Sequence, residues 1–267
     1  MINYLLLLIV SFLAQGPGYS GRSGEGQQPC LECHGSLMEK KFTHPQLETT
    51  CDVCHSSTGE QHPGSGKPGF TLSEEVPGLC YFCHTDYTEE EGAHPPAKEG
   101  YCLICHAPHG SDEKYLITSK TADLCFGCHT EAEEESKSSM MIHKPFTDQV
   151  ACSNCHYPHS SATSPLLRDE ANSLCLGCHN KTITGDSTTI SNISRLLQRS
   201  KTIHLPVVQG GCIMCHQPHY SGQHSLLTAY YNPEQYAEAT PENFELCFLC
   251  HDTDLLEARE TEYGTSF

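Results

Sequence analysis

"YCLICHAPHG", residues 101–110, sets Cys102, Cys105, His106 and His109 within one short run. Three chemistries compete for such a stretch: a zinc ribbon, half of a disulfide framework, or the attachment site of a c-type haem. The rest of the chain decides between them.

The sequence has 18 cysteines, and all of them fall in Cys-x-x-Cys pairs. The pairs are Cys30 and Cys33, Cys51 and Cys54, Cys80 and Cys83, Cys102 and Cys105, Cys125 and Cys128, Cys152 and Cys155, Cys175 and Cys178, Cys212 and Cys215, and Cys247 and Cys250. A histidine follows each one: His34, His55, His84, His106, His129, His156, His179, His216 and His251. Structural zinc wants four ligands per ion, normally from two knuckles, and nine knuckles do not divide into pairs. A disulfide framework does not demand this spacing throughout, and a thioredoxin-like pair would occur once, beside a βαβ pattern. Haem attachment does demand the fifth residue. Two thiols add to the two vinyl groups, and the adjacent histidine becomes the proximal ligand of the iron. The expectation is nine covalent haem c groups.

There are 18 histidines, so nine remain after the proximal ones are assigned. They are His44, His62, His94, His109, His143, His159, His204, His219 and His224, the candidate distal ligands. One spare histidine per haem is what ligation of every iron by two histidines requires. Most of them follow a repeat. A histidine near a proline opens each unit, in "HPQ", "HPP", "HKP" and "HLP". A first motif follows after seven to nine residues, and a second one, "LCYFCH", "LCFGCH", "LCLGCH" or "LCFLCH", comes after a loop. In three units the first motif continues as "CHAPH", "CHYPH" or "CHQPH". The first unit departs from this after "CHSS", where the next histidine is His62. His224 is supported by the count alone.

His109 stands three residues after His106. Three extended residues span roughly 10 Å at most, too short a path round a macrocycle to its other face. His109, His159 and His219 must therefore serve a neighbouring haem if they bind iron. Pro108, Pro158 and Pro218 stiffen the strap by fixing φ.

On the paired motifs, the "CHxPH" strings and the "LCxxCH" partners, the chain resembles multihaem c-type cytochromes with doubled Cys-x-x-Cys-His motifs, over residues 30–251. The resemblance implies an electron carrier of a bacterial or archaeal cell envelope. It also implies redox partner proteins or extracellular acceptors, and it is compatible with a polymer or an outer-membrane conduit component.

The expected organisation is a signal peptide at 1–20, a single-haem segment at 21–43, and paired units at 44–93, 94–142, 143–203 and 204–251. An acidic tail, 252–267, follows. The apolar run at 2–14 is too short to span a bilayer comfortably and fits a signal-peptide core. No other segment could span a membrane, so the mature chain is expected to have no span and to be exported, to the periplasm or the cell surface. With 37% hydrophobic residues and no tryptophan, the haems must supply most of the buried apolar surface. The expected fold is mostly irregular coil with short α-helices at the "LCxxCH" motifs and little or no β-sheet. Thr240 is expected to cap a helix that starts at Pro241. Ile190, Ile193, Leu196 and Leu197 would share one helical face. The segment 181–203 reads as a polar linker, the run at 131–136 as solvated surface, and Met38 and Met214 as packing.

The formal charge is −18. Ionised propionates and ferric centres would take it to about −27, which excludes nucleic acid as a partner. Two imidazoles per iron leave no place for a substrate and favour low potentials. An oxidoreductase of the nitrite or hydroxylamine type needs one open haem, often with an altered motif. All nine motifs end in histidine, so electron transfer without catalysis is the expectation. Intact mass after export from a host with c-type maturation should exceed the polypeptide mass by nine groups of about 616 Da, because thiol addition to a vinyl loses no atoms. A smaller increment would show that some motifs go unused.

Overall fold

A Cys-x-x-Cys-His string puts its three reactive side chains at positions i, i+3 and i+4, which share a face when the backbone is helical. The computed structural model, which describes residues 28–64, 66–185 and 188–257, builds a turn of helix at every motif. Short α-helices carry seven of them: Gln28–His34, Gly78–Tyr81, Cys102–Cys105, Thr121–Phe126, Ala171–Cys178, Cys212–Cys215 and Glu245–Phe248. The motifs at Cys51 and Cys152 take the tighter 3₁₀ form, in Cys51–Val53 and Ala151–Asn154. The histidine N–H donates to the carbonyl of the first cysteine at His84, His106, His129, His156, His179, His216 and His251, closing the turn at 2.9–3.0 Å.

The histidine that opens each unit stands just before a short helix. His44, His94, His143 and His204 precede Pro45–Glu48, Pro95–Lys98, Lys144–Phe146 and Leu205–Val208, each with proline at the first or second position. Proline lacks the N–H that a helix start leaves unpaired, and its fixed φ starts the turn. The histidine itself stays extended, with ψ between 124° and 132°.

What β-structure exists is small and antiparallel. Phe42–Thr43 pairs with Gly110–Ser111, and Met141–Ile142 with Tyr220–Ser221. A single bridge, Ala93 to Ser160, holds the corresponding place between them. All three join the residues before an opening histidine to the strap of the following unit. The other two ladders are local, His55–Ser57 with Phe70–Leu72 and Ile183–Thr184 with Thr189–Ile190. The fold is thus mostly coil, short helices and two-stranded ladders, as the composition predicts.

Several local expectations change. Ile190 lies in the second strand of the 183–190 hairpin, so the apolar stripe is broken. The helix runs only over Ile193–Arg199, where the Asn192 side chain accepts the Arg195 N–H at 2.7 Å. Asparagine is a strong N-cap, and it overrides the helical period on its N-terminal side. The linker 181–203 therefore carries a hairpin and a helix. The acidic run belongs to the helix Thr130–Ser138, where Glu135 accepts a hydrogen bond from Tyr220 at 2.6 Å. At 240–244 the Thr240 hydroxyl accepts the Asn243 N–H at 3.4 Å, but the 3₁₀ turn starts at Glu242, one residue later than expected. The signal-peptide expectation and most of the tail lie outside the described residues.

The polypeptide builds almost no core. Among the described residues only Ala151, Leu227 and Ala229 are buried hydrophobics, and Phe82, Leu103, Ile104, Ile213, Met214 and Leu249, all inside motifs, are exposed. Ordering one residue costs about 1–2 kcal/mol of backbone entropy. A fully buried large apolar side chain returns about 1.5–3 kcal/mol, and this chain buries too few to hold itself folded. The macrocycles expected at the motifs would supply the apolar surface on which such a chain folds. Produced in a host without c-type maturation, the chain should therefore show little far-UV helix signal and elute as an expanded coil. A compact haem-free form would contradict this.

Candidate haem-binding site

The proximal histidines are oriented by their neighbours in the chain. Nδ1 of His106 lies 2.9 Å from the Tyr115 carbonyl, Nδ1 of His156 lies 2.9 Å from that of Pro165, and Nδ1 of His216 lies 3.0 Å from that of Ser225. A ring that donates from Nδ1 keeps its Nε2 lone pair free for a metal. The carbonyl is presented by a left-handed kink, with φ of 60° and 56° at Tyr115 and Leu116 and 55° and 57° at Ser225 and Leu226. A serine clamps each loop: the hydroxyls of Ser111, Ser161 and Ser221 donate to the carbonyls of Ile117, Leu167 and Leu227. These serines escaped the sequence reading. Their signal is a serine five residues after each of His106, His156 and His216.

The spare histidines come to the proximal ones across the fold. His62 faces His34 with ring centres 6.0 Å apart, His109 faces His55 at 6.0 Å and His94 faces His129 at 6.2 Å. His159 faces His106 at 5.8 Å, His143 faces His179 at 6.3 Å and His204 faces His251 at 5.9 Å. His219 faces His156 at 6.0 Å with the rings 37° apart, and the six pairs before it lie within 22° of parallel. His44 faces His84 at 6.1 Å, but at 63°. Its Nδ1 accepts the Gln46 N–H at 3.3 Å, a long contact that must give way for Nε2 to bind iron.

These separations fit the group that the motifs imply. A metal–imidazole bond of about 2 Å on each side, plus about 1.2 Å from Nε2 to each ring centre, puts two axial rings about 6.3 Å apart. Burial holds His94, His109, His143, His159 and His219 below the ordinary imidazole range, which favours the neutral ring that a metal needs. Nδ1 of His94 and of His143 lies 3.1 and 2.9 Å from the carbonyls of Pro158 and Pro218, which fixes those tautomers too. His109 faces His55 rather than His106, as the reach of three residues requires.

His224 departs from the expectation drawn from counting. No ring faces it among the described residues, and its Nε2 lies 2.6 Å from the Tyr231 carbonyl. It sits three residues after Ser221, where the second and third units carry Lys114 and Ser164. It occupies a loop position of the repeat.

The cysteines bring consecutive motifs together in order. Burial raises the thiols of Cys51, Cys80, Cys105, Cys155 and Cys247, and a cysteine of an adjoining motif adds to each rise: Cys30, Cys102, Cys128, Cys178 and Cys215. Cys54 also acts on Cys80. Burial, with Cys212 next to it, pushes Cys175 up to about 11. Cys125 is raised chiefly by a hydrogen bond shared with Cys152. Thioether formation removes these titrations, but the proximities remain. They link each of the nine motifs to the next without a gap.

Nine haem-attachment motifs on a coil held by short helices define a multihaem c-type cytochrome. The family model described as "Doubled CXXCH motif" matches residues 94–134, 143–184 and 204–255, half of the chain, and the chain belongs to that family. The matched stretches open at His94, His143 and His204. No curated protein matches the chain. Among the described residues no helix is long and apolar enough to cross a membrane.

The crossed pairing is testable at one strap. His109→Ala should leave the mass increment unchanged and free the sixth position of the iron held by His55, two motifs upstream in space rather than at His106. Carbon monoxide bound by the reduced protein should rise by one equivalent per chain, and a haem at His106 that lost a ligand instead would contradict the geometry.

Proposed function

We propose that the chain conducts electrons through nine haems arranged in the order of the sequence. The observation that supports this reading is that a cysteine of each motif lies near enough to one of the next to feel its charge, from Cys30 and Cys51 at one end to Cys215 and Cys247 at the other. Tunnelling rates fall exponentially with distance, so a row of closely spaced centres passes an electron where two ends alone would not. Iron cycling between ferric and ferrous forms supplies the redox chemistry when the haems are bound.

The residues around each centre suit that task. Eight histidine pairs would hold eight irons six-coordinate, so those centres exchange electrons without binding a substrate. Nδ1 hydrogen bonds to carbonyls keep the ligand rings in place and raise their basicity, which favours ferric iron. Two histidines give lower potentials than a histidine and a methionine, and the acidic surface lowers them further. The same charge favours a basic docking face on a redox partner. Attachment of c-type haem outside the cytoplasm, with the apolar run at 2–14, supports a place in the cell envelope, in a respiratory or extracellular electron-transfer route.

A spectroelectrochemical titration should show reduction spread over a broad range of negative potentials, since nine unequal and mutually repelling sites titrate as a set. Electron exchange with a soluble basic carrier should slow as salt is added. Low-temperature EPR should be dominated by low-spin ferric signals, with a large-g component from the steep His44–His84 pair. Rapid, specific turnover of nitrite or hydroxylamine would make the chain an enzyme and overturn the reading.

A further inference from the structure

The same junction recurs along the chain, and the fourth unit lacks one half of it. At each of the first three units, the following strap does two things. Its histidine ring faces the proximal histidine of the unit's first motif: His109 faces His55, His159 faces His106 and His219 faces His156. The carbonyl of that same histidine accepts the N–H of the unit's opening histidine: His109 from His44 at 2.9 Å, His159 from His94 at 2.7 Å and His219 from His143 at 2.9 Å.

At the fourth unit both contacts are missing together. Among the described residues no ring faces His216, and no carbonyl accepts the N–H of His204. All 18 histidines lie among the described residues, and the remaining residues of the sequence include no histidine or lysine. His216 is exposed, whereas His55, His106 and His156 are half-buried. Its proximal side is nevertheless built as in the second and third units, with Nδ1 on the Ser225 carbonyl and Ser221 clamping the loop. His224, the one spare histidine that faces no proximal ring, sits on that same loop with its Nε2 on Tyr231. What the fourth unit lacks is the whole strap, so rotating one side chain does not restore the pattern.

We propose that the haem held by Cys212, Cys215 and His216 is the ligand-binding haem of the row, its sixth position open to a small outside ligand. On ferrous iron the ligand class is a neutral diatomic such as carbon monoxide or nitric oxide. On ferric iron it is cyanide or imidazole. The inference rests on the ninth haem being attached, as the proposed function has it. It adds that one centre, next to last in the row, meets ligands as well as electrons.

The test uses the purified, haem-loaded chain. Intact mass counts the haems, EPR of the oxidised protein counts high-spin centres, and anaerobic titration of the reduced protein counts bound carbon monoxide. The expected result is nine haems, one high-spin ferric centre and about one carbon monoxide per chain. His224→Ala should leave that count unchanged, and His219→Ala should raise it to about two by opening the haem at His156. Nine haems with no high-spin centre and no bound carbon monoxide would overturn the inference and leave the conducting row intact. If His224→Ala then gained one equivalent, His224 would be the missing ligand. If it gained none, and sedimentation showed an oligomer, a second copy would be supplying it. A mass increment short of nine, traced by peptide mapping to Cys212 and Cys215, would instead remove the premise shared with the proposed function.

Discussion

Histidine rings held face to face at the spacing that two imidazoles on one iron would need set the distance between the segments that carry them, and the rest of this structure depends on that constraint. In each of eight places a proximal histidine and a spare one stand 5.8–6.3 Å apart, although the two come from different loops and often from different units. A metal-bound pair of this kind would do the work that a packed apolar core does elsewhere. It would join remote parts of the chain through strong, directional bonds, with a macrocycle between them offering two apolar faces. The chain can then remain mostly coil and still be ordered.

The straps turn this local constraint into a linear assembly. His109, His159 and His219 cannot reach round their own macrocycles, and each faces a proximal histidine of the preceding unit. Each unit is thereby stitched to the next twice, by a facing ring and by a backbone hydrogen bond beside a two-residue ladder or, between the second and third units, a single bridge. Stability of such a row is a sum of neighbour-to-neighbour terms, as in other repeat architectures. The same stitching makes the row directional. Among the described residues its fourth unit presents an opening histidine, His204, whose N–H meets no strap carbonyl, and a proximal one, His216, that no ring faces.

Much of the chemistry was legible without coordinates. The Cys-x-x-Cys-His string is an i, i+3, i+4 pattern that one helical turn satisfies, so attachment and proximal ligand follow from local geometry. The reach of three residues likewise settles that a strap histidine serves another centre. The short helices, the scarcity of sheet and the lack of an apolar core follow from low hydrophobicity and frequent proline and glycine. Local cues failed where neighbours in the chain compete. Asn192 capped a helix and cut the apolar stripe at Ile190.

Consecutive residues carry the attachment pattern, the histidine beside each cysteine pair, and the reach limit that sends His109, His159 and His219 to another centre. The tertiary structure alone decided which spare ring meets which proximal one, that the motifs follow one another in file, and that His224 belongs to the loop register of Lys114 and Ser164. The physical reason is the range of the interactions. A thioether pair and its adjacent histidine span one turn of backbone, so their spacing is written in consecutive residues. A distal ligand arrives over tens of residues of coil, and its partner is chosen by strap pairing and by the Nδ1 hydrogen bonds that aim the ring, neither of which a count of histidines contains.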